Sequence, residues 1–198
     1  MTTDINAIIA NLLAFYDFRD KTVISVGAGG GQFIEYGRTA GKVIVIDNDP
    51  PAMEKLRENL KLAGLEKKFT IVLEDFERTT SRADAVLFEF CLHEMKDPEA
   101  AVKHARSLAP DVIILDHWPD SEWSCIVAEE AKVAAGWRAL MRFAMKKEQK
   151  HDTVQVFKDY EELFTKVKGQ GETSIARIAK YKGNMDIVIP MSYGLVLI

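Results

Sequence analysis

A chain of 198 residues, 47% of them hydrophobic and 28% charged, has the make-up of an ordinary soluble globular protein and enough length for one domain with a sizeable core. A net charge of −4 gives no electrostatic footprint for nucleic acid, and no apolar run approaches the length of a membrane span. The two cysteines, Cys91 and Cys125, have no metal-ligand companions at close spacing, which fits buried thiols in a reducing, cytoplasmic setting.

Ile5, Ile8, Ile9, Leu12, Leu13 and Tyr16 fall at helical spacing, with Thr3 or Asp4 as cap. Interrupted by Asp4, Asn6 and Asn11 and lacking a basic start, this segment does not read as a secretory leader. Val23 to Val26 is a buried strand running into the turn Gly27-Ala28-Gly29-Gly30-Gly31, and Gln32 to Thr39 a short helix behind it. A second strand, Val43 to Ile46, closes on Asp47. Pro50 and Pro51 start a helix that runs to about Leu62 and stops at Gly64. Phe69 to Leu73 is a third strand, followed by Glu74-Asp75-Phe76, and Ala83 to Glu89 a fourth, followed by Phe90-Cys91-Leu92-His93-Glu94-Met95. Asp97 caps and Pro98 begins a helix through Leu108; Val112 to Leu115 is the fifth strand.

Ser121 to Lys147 repeats its apolar residues at helical intervals and reads as one long helix. Two tryptophans, Trp123 and Trp137, are more than one sheet face needs, so this helix is expected to line a pocket or to meet a second copy of the chain in a homodimer. His151 to Val156 reads as a link and Tyr160 to Val167 as a further helix. Thr173 to Tyr181 and Asp186 to Ile198 read as the two strands of a closing hairpin, turned at Lys182-Gly183-Asn184.

The glycine spacing decides between cofactors. A dinucleotide fingerprint beginning at Gly27 meets Gln32 where glycine or alanine is required, and one beginning at Gly29 meets Ile34. A nicotinamide dehydrogenase is therefore disfavoured. Gly27-x-Gly29-x-Gly31 followed by Asp47 instead resembles motif I of the class I S-adenosylmethionine-dependent methyltransferases. The run Leu92-His93-Glu94-Met95-Lys96-Asp97-Pro98 looks like a segment of the small-molecule enzymes related to ubiquinone and menaquinone biosynthesis.

That resemblance implies an α/β fold: a doubly wound, Rossmann-like seven-stranded sheet of order 3-2-1-4-5-7-6 with strand 7 antiparallel. It implies one domain over residues 1–198, with the N-terminal helix (1–20) and residues 118–155 capping a substrate. It also implies S-adenosylmethionine as cofactor, S-adenosylhomocysteine as product and a small-molecule methyl acceptor, with no nucleic-acid or membrane partner. Carried over residue by residue, Gly27, Ala28, Gly29 and Gly31 pass beside the methionine moiety, Asp47 holds the ribose hydroxyls, Asn48 lies against the adenine, Asp75 takes its amino group and Phe76 flanks the ring. Glu89 contacts the methionine end. The family's usual acid two residues before the first glycine is Ser25 here, and Glu89 replaces a residue that is commonly small or neutral, so one carboxylate is expected to have moved across the same pocket. His93, with Glu94 as the carboxylate alternative, is the expected general base; His117 and Asp116 are weaker candidates, with a backbone-bonded structural role preferred for His117. Asp116 and Glu89 make only part of a metal set, so no metal ligand is assigned. The alternative from another class is a catalytically weak or inactive cofactor-binding or protein-binding module on the same fold.

Overall fold

The computed structural model describes residues 2–198, with side chains from Asp4 onward. Its centre is a parallel sheet of five strands, buried on both faces except at the edge strand β4: β2 (Thr22–Val26), β3 (Lys42–Asp47), β4 (Phe69–Leu73), β5 (Ala85–Glu89) and β6 (Asp111–His117). Two long strands, β7 (Lys147–Asp159) and β8 (Met185–Leu197), pair antiparallel with each other, and β8 pairs antiparallel with β6. A two-residue strand, β1 (Thr2–Thr3), adds to the outer edge of β7. The full order is β1-β7-β8-β6-β5-β2-β3-β4. Counted from β2, this is the order 3-2-1-4-5-7-6 with strand 7 antiparallel.

Side chains alternate between the two faces of each strand, and the helices divide accordingly. Ile113 and Leu115 of β6 and Leu87 of β5 face one layer, made by α1 (Ile5–Phe15), α2 (Pro50–Ala63), α4 (Glu122–Ile126), α6 (Tyr160–Val167) and α7 (Glu172–Ile178). Val112, Ile114, Val86 and Phe88 face the other, made by α3 (Pro98–Leu108) and α5 (Glu130–Leu140). Local chemistry sets the ends of these helices. Asp97 Oδ1 accepts the Ala100 N–H at 3.0 Å with Pro98 in the first turn, a cap worth about 1 kcal/mol. Gly64 ends α2 in the left-handed conformation, φ 67°. Among the described residues, no helix is long and apolar enough to cross a membrane.

Four expectations are corrected. The single helix over 121–147 is two, α4 and α5, because Ala128 at φ 60° turns the chain between them. The closing hairpin is not 173–181 against 186–198: residues 172–178 form α7, burying Ser174 and Ile178 four apart, and the partner of β8 is β7. The expected short helix of 32–39 is a 3₁₀ segment, Ile34–Arg38. Residues 151–156, read as a link, are part of strand β7 (Lys147–Asp159).

Candidate functional site

Loops leaving the carboxyl ends of β2, β3, β5 and β6 enclose two cavities, where open α/β sheets place their ligands. One, of about 430 Å³, is bordered by Asp47, Asn48, Asp75, Phe76, Cys91 and Glu94. The other, of about 320 Å³, is bordered by residues 27–30, Phe33, Glu89, Phe90 and His117, and roofed by Ile5 and Ile8 of α1, Trp123 of α4 and Lys166 of α6, with Gln155 and Met191 of the antiparallel strands. Gly27 borders both. The two spaces meet at the first glycine of the turn.

Gly27, Gly29 and Gly31 all take positive φ (69°, 52° and 79°). A Cβ on Gly27 would lie 2.5 Å from Cys91 Cβ, and one on Gly31 2.6 Å from Leu56 Cδ1, whereas one on Gly29 would meet nothing within 4 Å. The first and third glycines therefore serve packing, and the second leaves an open cradle. Its N–H donates to Asp47 Oδ2 at 3.0 Å, while Asp47 Oδ1 accepts the Asp49 N–H at 3.0 Å. The acid at the end of β3 is thus aimed at the glycine turn. Asn48 Nδ2 donates to Asp75 Oδ1 at 3.0 Å, so these two expected ligands meet across the mouth of the larger cavity. Phe76 is buried, its ring edge-on to Phe88 with centroids 5.3 Å apart.

Ser25 and Glu89 come together. Ser25 Oγ donates to Glu89 Oε1 at 2.5 Å and Tyr36 Oη donates to the same oxygen at 2.9 Å, all three side chains being buried. Glu89 Oε2 is buried without a hydrogen-bond partner. Burial raises this carboxyl to about 7, against the lowering effect of the Ser25 and Tyr36 hydroxyls. Next along, Phe90 sits at φ 52°, a conformation that costs a bulky residue about 1–3 kcal/mol and holds its ring between Phe33 and His117, at 5.6 and 4.9 Å between centroids.

The expected base, His93, is 6% exposed and borders neither cavity itself, but its ring lies 5.5 Å from that of His117, which borders the smaller one. Its backbone N–H donates to Asp116 Oδ2 at 3.0 Å, and its Nδ1 stands 2.5 Å from Asp116 Oδ1. Burial works to lower this imidazole, but hydrogen bonding and attraction from Asp116 and Glu129 outweigh it and hold the group at about 10. An imidazolium has no lone pair with which to take a proton. Glu94, on the rim of the larger cavity, is half-exposed and paired with Lys132 at 3.1 Å. His117, for which a structural role was preferred, is the histidine that borders the smaller cavity, and burial pushes it down to about 4, so it is neutral at physiological pH. Strand parity could have signalled this: His117 follows Ile113 and Leu115 onto the face shared with Ser25 and Glu89, while Asp116 follows Ile114 to the other. Lys166 was not anticipated, because α6 is remote in sequence from every other lining element.

No curated protein matches the chain in sequence. Among solved structures, the YcgJ protein from Bacillus subtilis superposes with a TM-score of 0.72 at 12% identity, covering 97% of each chain. A SAM-dependent methyltransferase from Aquifex aeolicus gives 0.62 at 16% identity, over 99% of this chain and 90% of that one. Magnesium protoporphyrin IX methyltransferase from Synechocystis PCC 6803 gives 0.58 at 14% identity, over 97% and 80%. These likenesses are of fold. A sequence profile described as a methyltransferase domain matches residues 1–167, and on that match the chain belongs to the methyltransferase-domain family.

Proposed function

We propose that this chain transfers the methyl group of S-adenosylmethionine to a small, largely apolar acceptor and releases S-adenosylhomocysteine. The observation that carries this reading is the pair of cavities joined at Gly27, with the Asp47 carboxylate on one side and the unpartnered Oε2 of Glu89 on the other. The residues fit the group: the cradle over Gly29 leaves room for a close backbone approach, and a buried oxygen without a donor suits an ammonium. The Synechocystis neighbour, described with bound SAH, supports the same cofactor.

In this reading Asp47 accepts the two ribose hydroxyls, and Asn48, Asp75 and Phe76 border the adenine. Glu89 takes the α-ammonium, its orientation fixed by Ser25 and Tyr36. The carboxylate that relatives carry at the place of Ser25 is thus supplied from β5 and held by the serine. When bound, the cofactor supplies an electrophilic methyl on sulfur; the chain supplies position and exclusion of water. Ile8, Phe33, Phe90, Trp123 and Met191 shape the acceptor side, with His117 as the neutral hydrogen-bonding group there. The capping elements are α1, α4 and α6 around a single catalytic domain.

Calorimetry with S-adenosylmethionine, S-adenosylhomocysteine and NAD tests the assignment. Both sulfur ligands should bind; binding of NAD alone would overturn it. Asp47→Ala should weaken S-adenosylhomocysteine by about 1.5–3 kcal/mol, the worth of a charged hydrogen-bond partner. Two glycine variants separate packing from ligand contact. Gly27→Ala should lower stability by about 2 kcal/mol or more, read as a drop in Tm, since its Cβ collides with Cys91 at a positive φ. Gly29→Ala should cost only about 1–2 kcal/mol for its conformation, yet lose more ligand affinity than Gly27→Ala relative to stability.

A further inference from the structure

Of the cluster around His93 only Glu94 touches a cavity, at the rim of the larger one, and the proposed transfer uses none of its members. Three carboxylates from separate segments converge on this one imidazole. Asp116, near the end of β6, holds Nδ1 at 2.5 Å. Glu94, from the 3₁₀ turn Leu92–Glu94, places Oε1 3.6 Å from Nε2, and Glu129, the first cap of α5, places Oε2 3.5 Å from it. One carboxylate oxygen of Glu94 and one of Glu129 also lie within 4.8 Å of each other. Lys132 neutralises only the other oxygen of Glu94, Oε2, at 3.1 Å.

The two sides of the ring differ. A charged N–H···O contact closes to about 2.7–2.9 Å, as the Nδ1 side has done and the Nε2 side has not. Ligand atoms on a tetrahedral zinc, at metal distances near 2.0–2.2 Å, stand about 3.4 Å from one another. The separations of 3.6 and 3.5 Å about Nε2 are those of a coordination edge, and one atom from each of the three residues lies within 4.8 Å of the others. A carboxylate on Nδ1 is also the outer-shell partner that metal-bound histidines carry, since it fixes the tautomer and turns Nε2 toward the ion.

We propose that His93, Glu94 and Glu129 form a site for a divalent first-row transition ion, with Asp116 as the positioning residue behind the imidazole. One nitrogen and two carboxylate oxygens suit zinc and its neighbours rather than magnesium, which prefers oxygen and retained water. Binding releases the proton on Nε2 to solvent and replaces it with the ion. The ion would join the turn after β5 to the start of α5, which follows the left-handed turn at Ala128. Its role in this reading is to fix that junction.

Titration of the purified, metal-free chain tests the site without any acceptor. Calorimetry should show one Zn²⁺ bound per chain, Co²⁺ should give the visible absorption of a low-coordinate nitrogen and oxygen site, and Zn²⁺ should raise Tm. Glu94→Gln and Glu129→Gln, neither in the core, should each weaken Zn²⁺ by at least about tenfold, and Asp116→Asn by about 10–100-fold, with far-UV circular dichroism unchanged. Cys125→Ser should bind as the native chain does, because that exposed thiol is the obvious competing ligand. The proposal is overturned if no Co²⁺ band or Zn²⁺ heat appears, if both glutamine variants bind normally, if binding is lost with Cys125→Ser, or if Mg²⁺ binds as tightly as Zn²⁺.

Discussion

Glu89→Gln should flatten both the pH dependence of stability and that of cofactor binding. The folded state holds the Glu89 proton up to about pH 7, against 4.5 for an ordinary glutamate. The sign follows from linkage: an acid whose folded value is raised makes the fold bind protons more tightly than the unfolded chain does. Its contribution is full below about pH 4.5, falls as pH rises through the window to 7, and is absent above it. That difference corresponds to about 3 kcal/mol of stability lost by the ligand-free protein across the window. Denaturant titrations at pH 4.5 and 8 should show the loss in the native chain, and a loss smaller by about that amount in Glu89→Gln. Identical slopes would remove Glu89 as the titrating group.

Binding should run the opposite way. An ammonium against Oε2 favours the ionised carboxylate, so S-adenosylhomocysteine should weaken below pH 7, approaching about tenfold per pH unit. Glu89→Gln should lose that dependence and bind about 10- to 150-fold more weakly at pH 8, the worth of a charged hydrogen bond. Ser25→Asp should be more damaging than its family resemblance suggests. Ser25 Oγ sits 2.5 Å from Glu89 Oε1, so the new acid meets a like charge, raises Glu89 further and moves tight binding to higher pH. Unchanged affinity at pH 8 in both variants would place the methionine end elsewhere.

The parallel half of the molecule was legible because each strand is a largely apolar run, broken internally only by Ser25 and Thr70, that ends at glycine, aspartate or glutamate on the ligand-facing edge. Of the other half only β8, read as a strand over 186–198, was legible, for three physical reasons. β7 reads Lys-Glu-Gln-Lys-His-Asp-Thr-Val-Gln-Val-Phe-Lys-Asp, and of its residues only Gln155 and Phe157 are buried, so a strand largely open to solvent carried almost no alternation. The end of α4 is a Schellman turn, with Ala128 N–H on the Cys125 carbonyl and Glu129 N–H on the Ser124 carbonyl, but alanine stands where glycine would have announced it. In 172–181, Ile175 and Ile178 are three apart, a helical interval outweighed by the turn signal at Lys182-Gly183-Asn184. The site divided in the same way. The approach of Asp47 to the glycine turn could be expected from spacing, whereas which of the neighbouring His93 and His117 rings borders a cavity could not. That depends on strand parity and on the turn after β5, not on proximity in sequence.

Trp137→Ala should be among the most destabilising single changes in the chain, while Trp123→Ala should act chiefly on the acceptor. The two tryptophans come from different helices with different tasks. Trp137 is 8% exposed; its Nε1–H donates to the His117 carbonyl at 2.6 Å and its ring meets Trp118 edge-on at 4.3 Å. It also fills the space over Gly194 of β8, where a Cβ would lie 2.6 Å from its ring atoms. Truncation therefore opens a cavity between α5 and the sheet and leaves a buried carbonyl unpaired, an expected loss of about 3–5 kcal/mol, or about 6–20 °C in Tm for a chain of this size. This contact is internal, so Trp137 needs no second copy of the chain to bury it; Met141, one turn on, is 77% exposed and packs on nothing comparable. Trp123 stacks on Phe157 at 5.7 Å but also borders the smaller cavity. Trp123→Ala should lower kcat/KM with a verified acceptor while S-adenosylhomocysteine affinity stays near that of the native chain, and Trp123→Phe, which keeps a ring over Phe157, should recover most of the stability but less of the turnover. Normal turnover in Trp123→Ala would place the acceptor away from α4, leaving Lys166 and α1 to define its entrance.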